Sequence, residues 1–198
     1  DASGLTDGTV TVSATGTTSL ETSSVSASVN KDTTGPVVSV PADITVDAAS
    51  ADGTPSSNAA IAAFLQGATA NDATDGSVSV TNDAPSVFQI GATTVTFSAS
   101  DVLGNVGSNS AVVTVDDQSP PVVTAPAATT VAATDANGTA KTDAAIVAFL
   151  DSVSALDNVD GAISGSQIGN DAPDVFPIGE TTVTFSIMDT SSLEGTAT

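Results

Sequence analysis

The feature that most restricts this chain is that it repeats itself. Gly35-Pro36-Val37-Val38 returns as Pro120-Pro121-Val122-Val123, and Asp52-Gly53-Thr54 returns as Asn137-Gly138-Thr139, both at an offset of 85. Ala59-Ala60-Ile61 and Phe64-Leu65 come back as Ala144-Ala145-Ile146 and Phe149-Leu150. A three-residue insertion near Gly165 to Gly169 moves the offset to 88, after which Asn82 to Phe97 matches Asn170 to Phe185 at 13 of 16 positions. A period of that length is the size of a small domain, so each copy must close a core of its own. Residues 1–31 fit the same frame as the last two strands of a preceding module, because Gly8 to Ala14 aligns with Thr93 to Ala99. The chain therefore reads as a C-terminal hairpin over 1–31, a whole module over 32–116, and a second module over 117–198. The counterpart of Ala111 to Val115 would fall past Thr198, so this second module is expected to lack its last strand. Excision from a longer array is the simpler explanation, and donation of the strand by a neighbouring chain is the other. An open sheet edge left alone would drive self-association.

Within each module, β-branched residues alternate with small polar ones. This predicts strands at 9–15, 24–30, 37–40, 43–48, 77–81, 93–99 and 110–115, with counterparts at 122–125, 128–133, 162–165 and 181–187. Gly, Pro, Asp and Asn clusters separate them. Short strands at this spacing predict an all-β chain of tandem antiparallel β-sandwiches. Each module also carries one short helical turn. Ile61, Phe64 and Leu65 lie at helical spacing behind Ser57 or Asn58, and Ile146, Phe149 and Leu150 repeat this behind Thr142 or Asp143. The remaining aromatics, Phe88, Phe97, Phe176 and Phe185, are expected in the cores.

The composition excludes much chemistry. The chain has no Cys and no His, which removes disulfides, zinc–thiolate sites, thiol nucleophiles and the usual general base. Only Lys31 and Lys141 could replace that base, so an abundant Ser or Thr nucleophile has nothing to activate it. Two Lys+Arg against 23 Asp+Glu leave a net charge of −21, which repels phosphate backbones and anionic lipids. No nucleic-acid partner and no membrane insertion are expected; the longest apolar runs, 59–65 and 144–150, are far short of a membrane helix. Such a surface instead favours a hard divalent cation with oxygen ligands, Ca²⁺ above all. Asn137-Gly138-Thr139 has the form of a glycosylation sequon, but Asn-Gly is first of all a turn.

The segment Ala70-Asn71-Asp72-Ala73-Thr74-Asp75-Gly76, then Asn82-Asp83-Ala84-Pro85 leading through Phe88 and Gly91 into Thr93-Thr94-Val95-Thr96-Phe97, then Asp101-Val102-Leu103-Gly104-Asn105, resembles the hyalin repeat (HYR) family. The resemblance covers 32–115 and, except for the final strand, 117–198. The opening hairpin looks like the end of a bacterial immunoglobulin-like adhesin module. The resemblance implies immunoglobulin-like modules, an extracellular, secreted or cell-surface location, and adhesion or matrix building without catalysis. Two departures weaken any site in the second module: Asp189-Thr190-Ser191-Ser192-Leu193 lacks the Gly-Asn, and Ala128 stands where Asp43 does.

In a sandwich of this topology the linker, the loop after the second strand and the loop before the last strand meet at one pole. That predicts one Ca²⁺ site from Asp32, Asp72, Asp75, Asp101 and Asn105, and another from Asp116, Asp117, Asp157, Asp160 and Asp189. Neither loop follows the EF-hand pattern, since Ala73 and Val159 stand where oxygen ligands are needed. The expected role is a structural or adhesive repeat of an extracellular filament, surface layer or giant adhesin, stiffened by calcium at module junctions. Its partners would be neighbouring modules and further copies in a filament. The alternatives are a glycan- or protein-binding immunoglobulin-like module, or an accessory domain of a secreted hydrolase.

Overall fold

The computed structural model describes residues 5–19 and 21–198; residues 1–4 and 20, which fall in the expected hairpin, lie outside them. The chain divides into two compact units, one formed by residues up to Ile44 with Ser56–Ser86 and Thr93–Val113, the other by Thr45–Pro55, Val87–Ala92 and Thr114–Thr198.

The first unit opens with β1 (Gly8–Thr17) and β2 (Thr22–Lys31), paired antiparallel from Gly8↔Lys31 to Thr17↔Thr22. Thr, Val and Ser alternate along both strands, and the pleat turns Val12, Val25 and Val29 outward, each more than 60% exposed. Along the chain there follow β3 (Val37–Ser39), β4 (Ile44–Asp47), β5 (Thr54–Pro55), helix α1 (Ala59–Gln66), β6 (Thr69–Asp72), β7 (Gly76–Val78), β8 (Val80–Asn82), β9 (Val87–Phe88), β10 (Gly91–Ser100) and β11 (Val106–Asp116), of which β5, β9 and parts of β4, β10 and β11 belong to the second unit. One sheet has the order β3-β6-β7 and another β4-β11-β10-β8. Alternation along the long strands buries Val95, Phe97 and Ala99 on β10 and Ala111, Val113 and Val115 on β11. Asn58 starts α1, its Oδ1 accepting from the N–H of Ala60 at 3.0 Å and of Ile61 at 3.5 Å. The helix buries Ile61 and Phe64, and the Phe64 ring meets Phe97 edge-on at 5.7 Å.

The second unit repeats the pattern with β12 (Val122–Thr124), β13 (Thr139–Ala140), α2 (Ala144–Asp151), β14 (Ser154–Asp157), β15 (Gly161–Ile163), a single 3-10 turn at Gly165–Gln167, β16 (Gly169–Asn170), β17 (Val175–Phe176), β18 (Phe185–Met188) and β19 (Glu194–Ala197). Asp143 caps α2 through the Ala145 N–H at 2.8 Å. Ile146, Leu150, Val153, Ala155, Ile168, Val183 and Phe185 form one buried cluster, with Phe149 and Phe176 against it. A buried Phe such as Phe185 contributes about 1.5–3 kcal/mol. Both units are antiparallel β-structures with one short helix in each module repeat, as the alternation predicts.

Two expected strands need correction. Residues 128–133 are not a strand, and of 181–187 only the part from Phe185 onward is one. In the first repeat, β4 and the early half of β10 flank the late half of β11. Among the described residues no strand pairs with 128–133 or 181–184, and apolar alternation without a partner is not a strand. Ala128 also cannot do what Asp43 does, which is to accept the Val112 N–H at 2.8 Å. In the other direction, β6 and β14 are strands that alternation does not reveal; Thr-Ala-Asn-Asp and Ser-Ala-Leu-Asp become extended because each lies between two partners, β3 and β7 or β12 and β15.

Candidate metal centre

The aspartates at the ends of these strands hold their own loops. Asp72 closes β6, and its Oδ1 accepts from the N–H of Thr74 at 2.8 Å and of Asp75 at 3.1 Å, while Gly76 takes φ +76° to start the return strand. Asp157 does the same for Val159 at 2.7 Å and Asp160 at 2.9 Å, with Gly161 at φ +76°. In the linkers, Asp32 Oδ1 takes the Thr34 N–H at 3.1 Å and Asp117 Oδ1 takes the Ser119 N–H at 3.3 Å. After the long strand, Asp101 Oδ1 accepts from Leu103 and Asn105, and Asp189 Oδ1 from Leu193 at 2.8 Å. In every case a turn engages Oδ1; Oδ2 accepts the Asn105 amide in Asp101 and the Ser191 hydroxyl in Asp117, and it has no hydrogen-bond partner in Asp32, Asp157 and Asp189.

Those loops meet. Carboxylate oxygens of Asp32, Asp72 and Asp75 lie within 4.8 Å of one another in the first unit, and those of Asp117, Asp157 and Asp189 do so in the second. Asp72 is 2% exposed, Asp157 3%, Asp32 8% and Asp189 9%. Among the described residues, the buried oxygens Asp32 Oδ2, Asp157 Oδ2 and Asp189 Oδ2 have no hydrogen-bond partner. A buried orphan of this kind costs about 1–3 kcal/mol, more when charged. Two carboxylates 4.8 Å apart add about 3–4 kcal/mol of repulsion at an effective dielectric near 20. The chain's own cations are engaged elsewhere: Lys31 pairs with Asp7 at 3.0 Å, and Lys141 donates to Asn170 Oδ1 and to the Ala172 carbonyl. With all-oxygen donors and no His or Cys in the chain, the set suits a hard divalent cation.

Four expected ligands stand outside these clusters. Asp101 is 7% exposed; burial opposes its ionisation, but the Asn105 side-chain amide at 2.6 Å and the N–H groups of Asn105 and Leu103 outweigh it and hold the carboxyl below its usual range. Asn105 spends its amide N–H on Asp101 and on the Asp32 carbonyl. Asp160 is held below the usual range by the N–H and hydroxyl of Thr190, each at 2.7 Å. Asp116 is exposed and contributes only its carbonyl, to the Ala48 N–H.

Two residues that sequence reasoning missed clamp the linkers. Asp7 accepts the N–H of Thr33, the Lys31 ammonium and the Thr34 hydroxyl, and these hold its carboxyl far below the ordinary range. Asp47 accepts the Gln118 N–H at 2.8 Å and the Ser119 hydroxyl. The Asn158 amide adds a contact to the Ala48 carbonyl. The only available signal was the shared spacing of a hydroxyl residue two positions after Asp32 and Asp117, namely Thr34 and Ser119. A hollow over β3, β6 and β7, about 430 Å³ in volume, is lined by residues such as Val37, Ser39, Thr69 and Asn71 and offers neither a charged group nor an aromatic ring.

The fold and its sites thus define a class: immunoglobulin-like β modules in tandem, with acidic clusters where a linker aspartate meets loop aspartates of the module it enters. Comparison with known proteins narrows it. The chain is 33% identical over 164 residues to hyalin of Strongylocentrotus purpuratus, covering 81% of this chain and 13% of that protein. It is also 33% identical over 174 residues to hyalin of Lytechinus variegatus, covering 86% of this chain and 31% of that protein. No family model matches. The chain carries hyalin repeat-like modules, and it spans less than a third of the length of either relative.

Proposed function

We propose that this chain is a non-catalytic, adhesive or structural repeat of an extracellular assembly, and that calcium bound at its module junctions stiffens it. The observation that carries this reading is the convergence of a linker aspartate with two loop aspartates, twice, with buried oxygens that have no partner. A cation there relieves both the orphaned oxygens and the mutual repulsion, and it ties the linker to the module that follows. Asp7 and Asp47 clamp the same linkers from the preceding segment, so a bound ion would complete a brace that is already half made. The similarity to hyalin favours the extracellular setting. Neighbouring modules and further copies of the chain are the partners, in a filament or surface layer. No helix among the described residues is long and apolar enough to cross a membrane.

The test is thermal melting and small-angle scattering of the full chain with calcium chloride and with chelator. Calcium should raise Tm and narrow the distribution of maximum dimensions. Identical melting and scattering curves in the two conditions would remove the cation from this account.

A further inference from the structure

The two acidic clusters are equivalent by repeat but do not use equivalent ligands. Both take a linker aspartate, Asp32 or Asp117, and the aspartate closing the second-strand loop, Asp72 or Asp157. The third carboxylate is Asp75 in the first unit, whose repeat counterpart is Asp160. In the second unit it is Asp189, the counterpart of Asp101.

Two side chains account for the exchange. At position 102 Val offers only its N–H, to Asp75 Oδ2 at 3.0 Å, so the other Asp75 oxygen is left without a claim. Its counterpart Thr190 supplies an N–H and a hydroxyl, and these take both oxygens of Asp160. At position 105 the Asn amide takes Asp101 Oδ2 at 2.6 Å. Its counterpart Leu193 has no amide, and Asp189 Oδ2 is left buried and unpartnered beside Asp117 and Asp157.

We infer that the clusters are two divalent-cation sites of different strength, and that the residue pair 102/105 or 190/193 selects the third ligand of each. This rests on the reading of the clusters as cation sites. The second site is the stronger. Its three carboxylates are all buried and two of its oxygens are orphans, with Asp117 Oδ2 accepting only the Ser191 hydroxyl at 3.1 Å, a donor that can turn away, whereas the first site has one orphan and a partly exposed Asp75. Relief of one further buried orphan makes a site about ten-fold tighter.

Calorimetric titration of the full chain with calcium chloride tests this. The wild type should show two events differing about ten-fold in Kd. Asp189→Asn should abolish the tighter event and Asp75→Asn the weaker one, while Asp160→Asn and Asp101→Asn leave both within about three-fold. In the double variant Val102→Thr with Asn105→Leu, the dependence should cross over: Asp101→Asn now abolishes the weaker event and Asp75→Asn does not. Loss of the tighter event in Asp160→Asn, or a weaker event indifferent to Asp75→Asn in the wild type, overturns the assignment of ligands while leaving the sites in place. The Asp75 and Asp160 arms stay decisive if Asp101→Asn fails to fold. No heat at all in the wild type overturns the cation reading itself.

Discussion

At the scale of single residues, glycines and aspartates carry the turn chemistry of this chain. Gly138 has φ +120°, and a Cβ built on it would stand 1.9 Å from the Phe176 carbonyl oxygen. Gly53 is its counterpart, at φ +103° and 2.0 Å from the Phe88 carbonyl oxygen. These close approaches allow the Thr54↔Phe88 and Thr139↔Phe176 pairings that follow. Gly138→Ala should therefore cost about 1–3 kcal/mol, seen as a lowered Tm, because it strains the backbone and drives a side chain into a carbonyl. Gly16→Ala, with nothing near its Cβ, should stay within about 0.5 kcal/mol of the wild type. Asp171 gives a pH prediction away from the acidic clusters. The Thr184 N–H at 2.7 Å lowers its pKa. A carboxyl with a folded pKa below its unfolded value stabilises the protein fully above the ordinary carboxylate range, and that contribution is lost as pH falls through the folded value. The Tm gap between wild type and Asp171→Asn should therefore be widest near neutral pH and shrink in acid; a gap constant with pH would count against this.

At the scale of elements, pairing decides what alternation proposes. The hairpin of β1 and β2, the long strands β10 and β11, and the two helices with their phenylalanines were legible, because each has a strong local period and a turn or cap residue at its end. Residues 128–133 show the limit. They have the apolar rhythm of a strand, and they lie instead beside a groove of about 560 Å³ lined by Val131, Ile146, Phe149 and Phe176 among others. In the first repeat the corresponding place is taken by β11, with Ala111, Val113 and Val115 inward. A synthetic peptide with the sequence of Asn109–Asp117 should enter this groove and shift the amide resonances of Thr129, Val131, Thr181 and Val183. The same peptide with Asp at the positions of Val113 and Val115 should not. Indifference of those resonances to the first peptide would mean that the groove does not accept a strand.

At the scale of the whole molecule, an acidic chain with almost no basic residues must manage its own repulsion. The repeat, the all-β class, the absence of thiol and imidazole chemistry, and the grouping of aspartates into two sets all follow from the order of residues alone, because each depends on composition or on short-range spacing. The claim of Val102 on Asp75, the clamps made by Asp7 and Asp47, and the failure of 128–133 to become a strand were decided by tertiary placement: the donors to Asp75, Asp7 and Asp47 lie 24 to 72 positions away in sequence, and 128–133 has no pairing strand among the described residues. Whether an aspartate keeps a free oxygen is settled partly within its own loop, as Asn105 does for Asp101, and partly by a donor that comes into reach only when loops from different strands are folded side by side, as Thr190 does for Asp160.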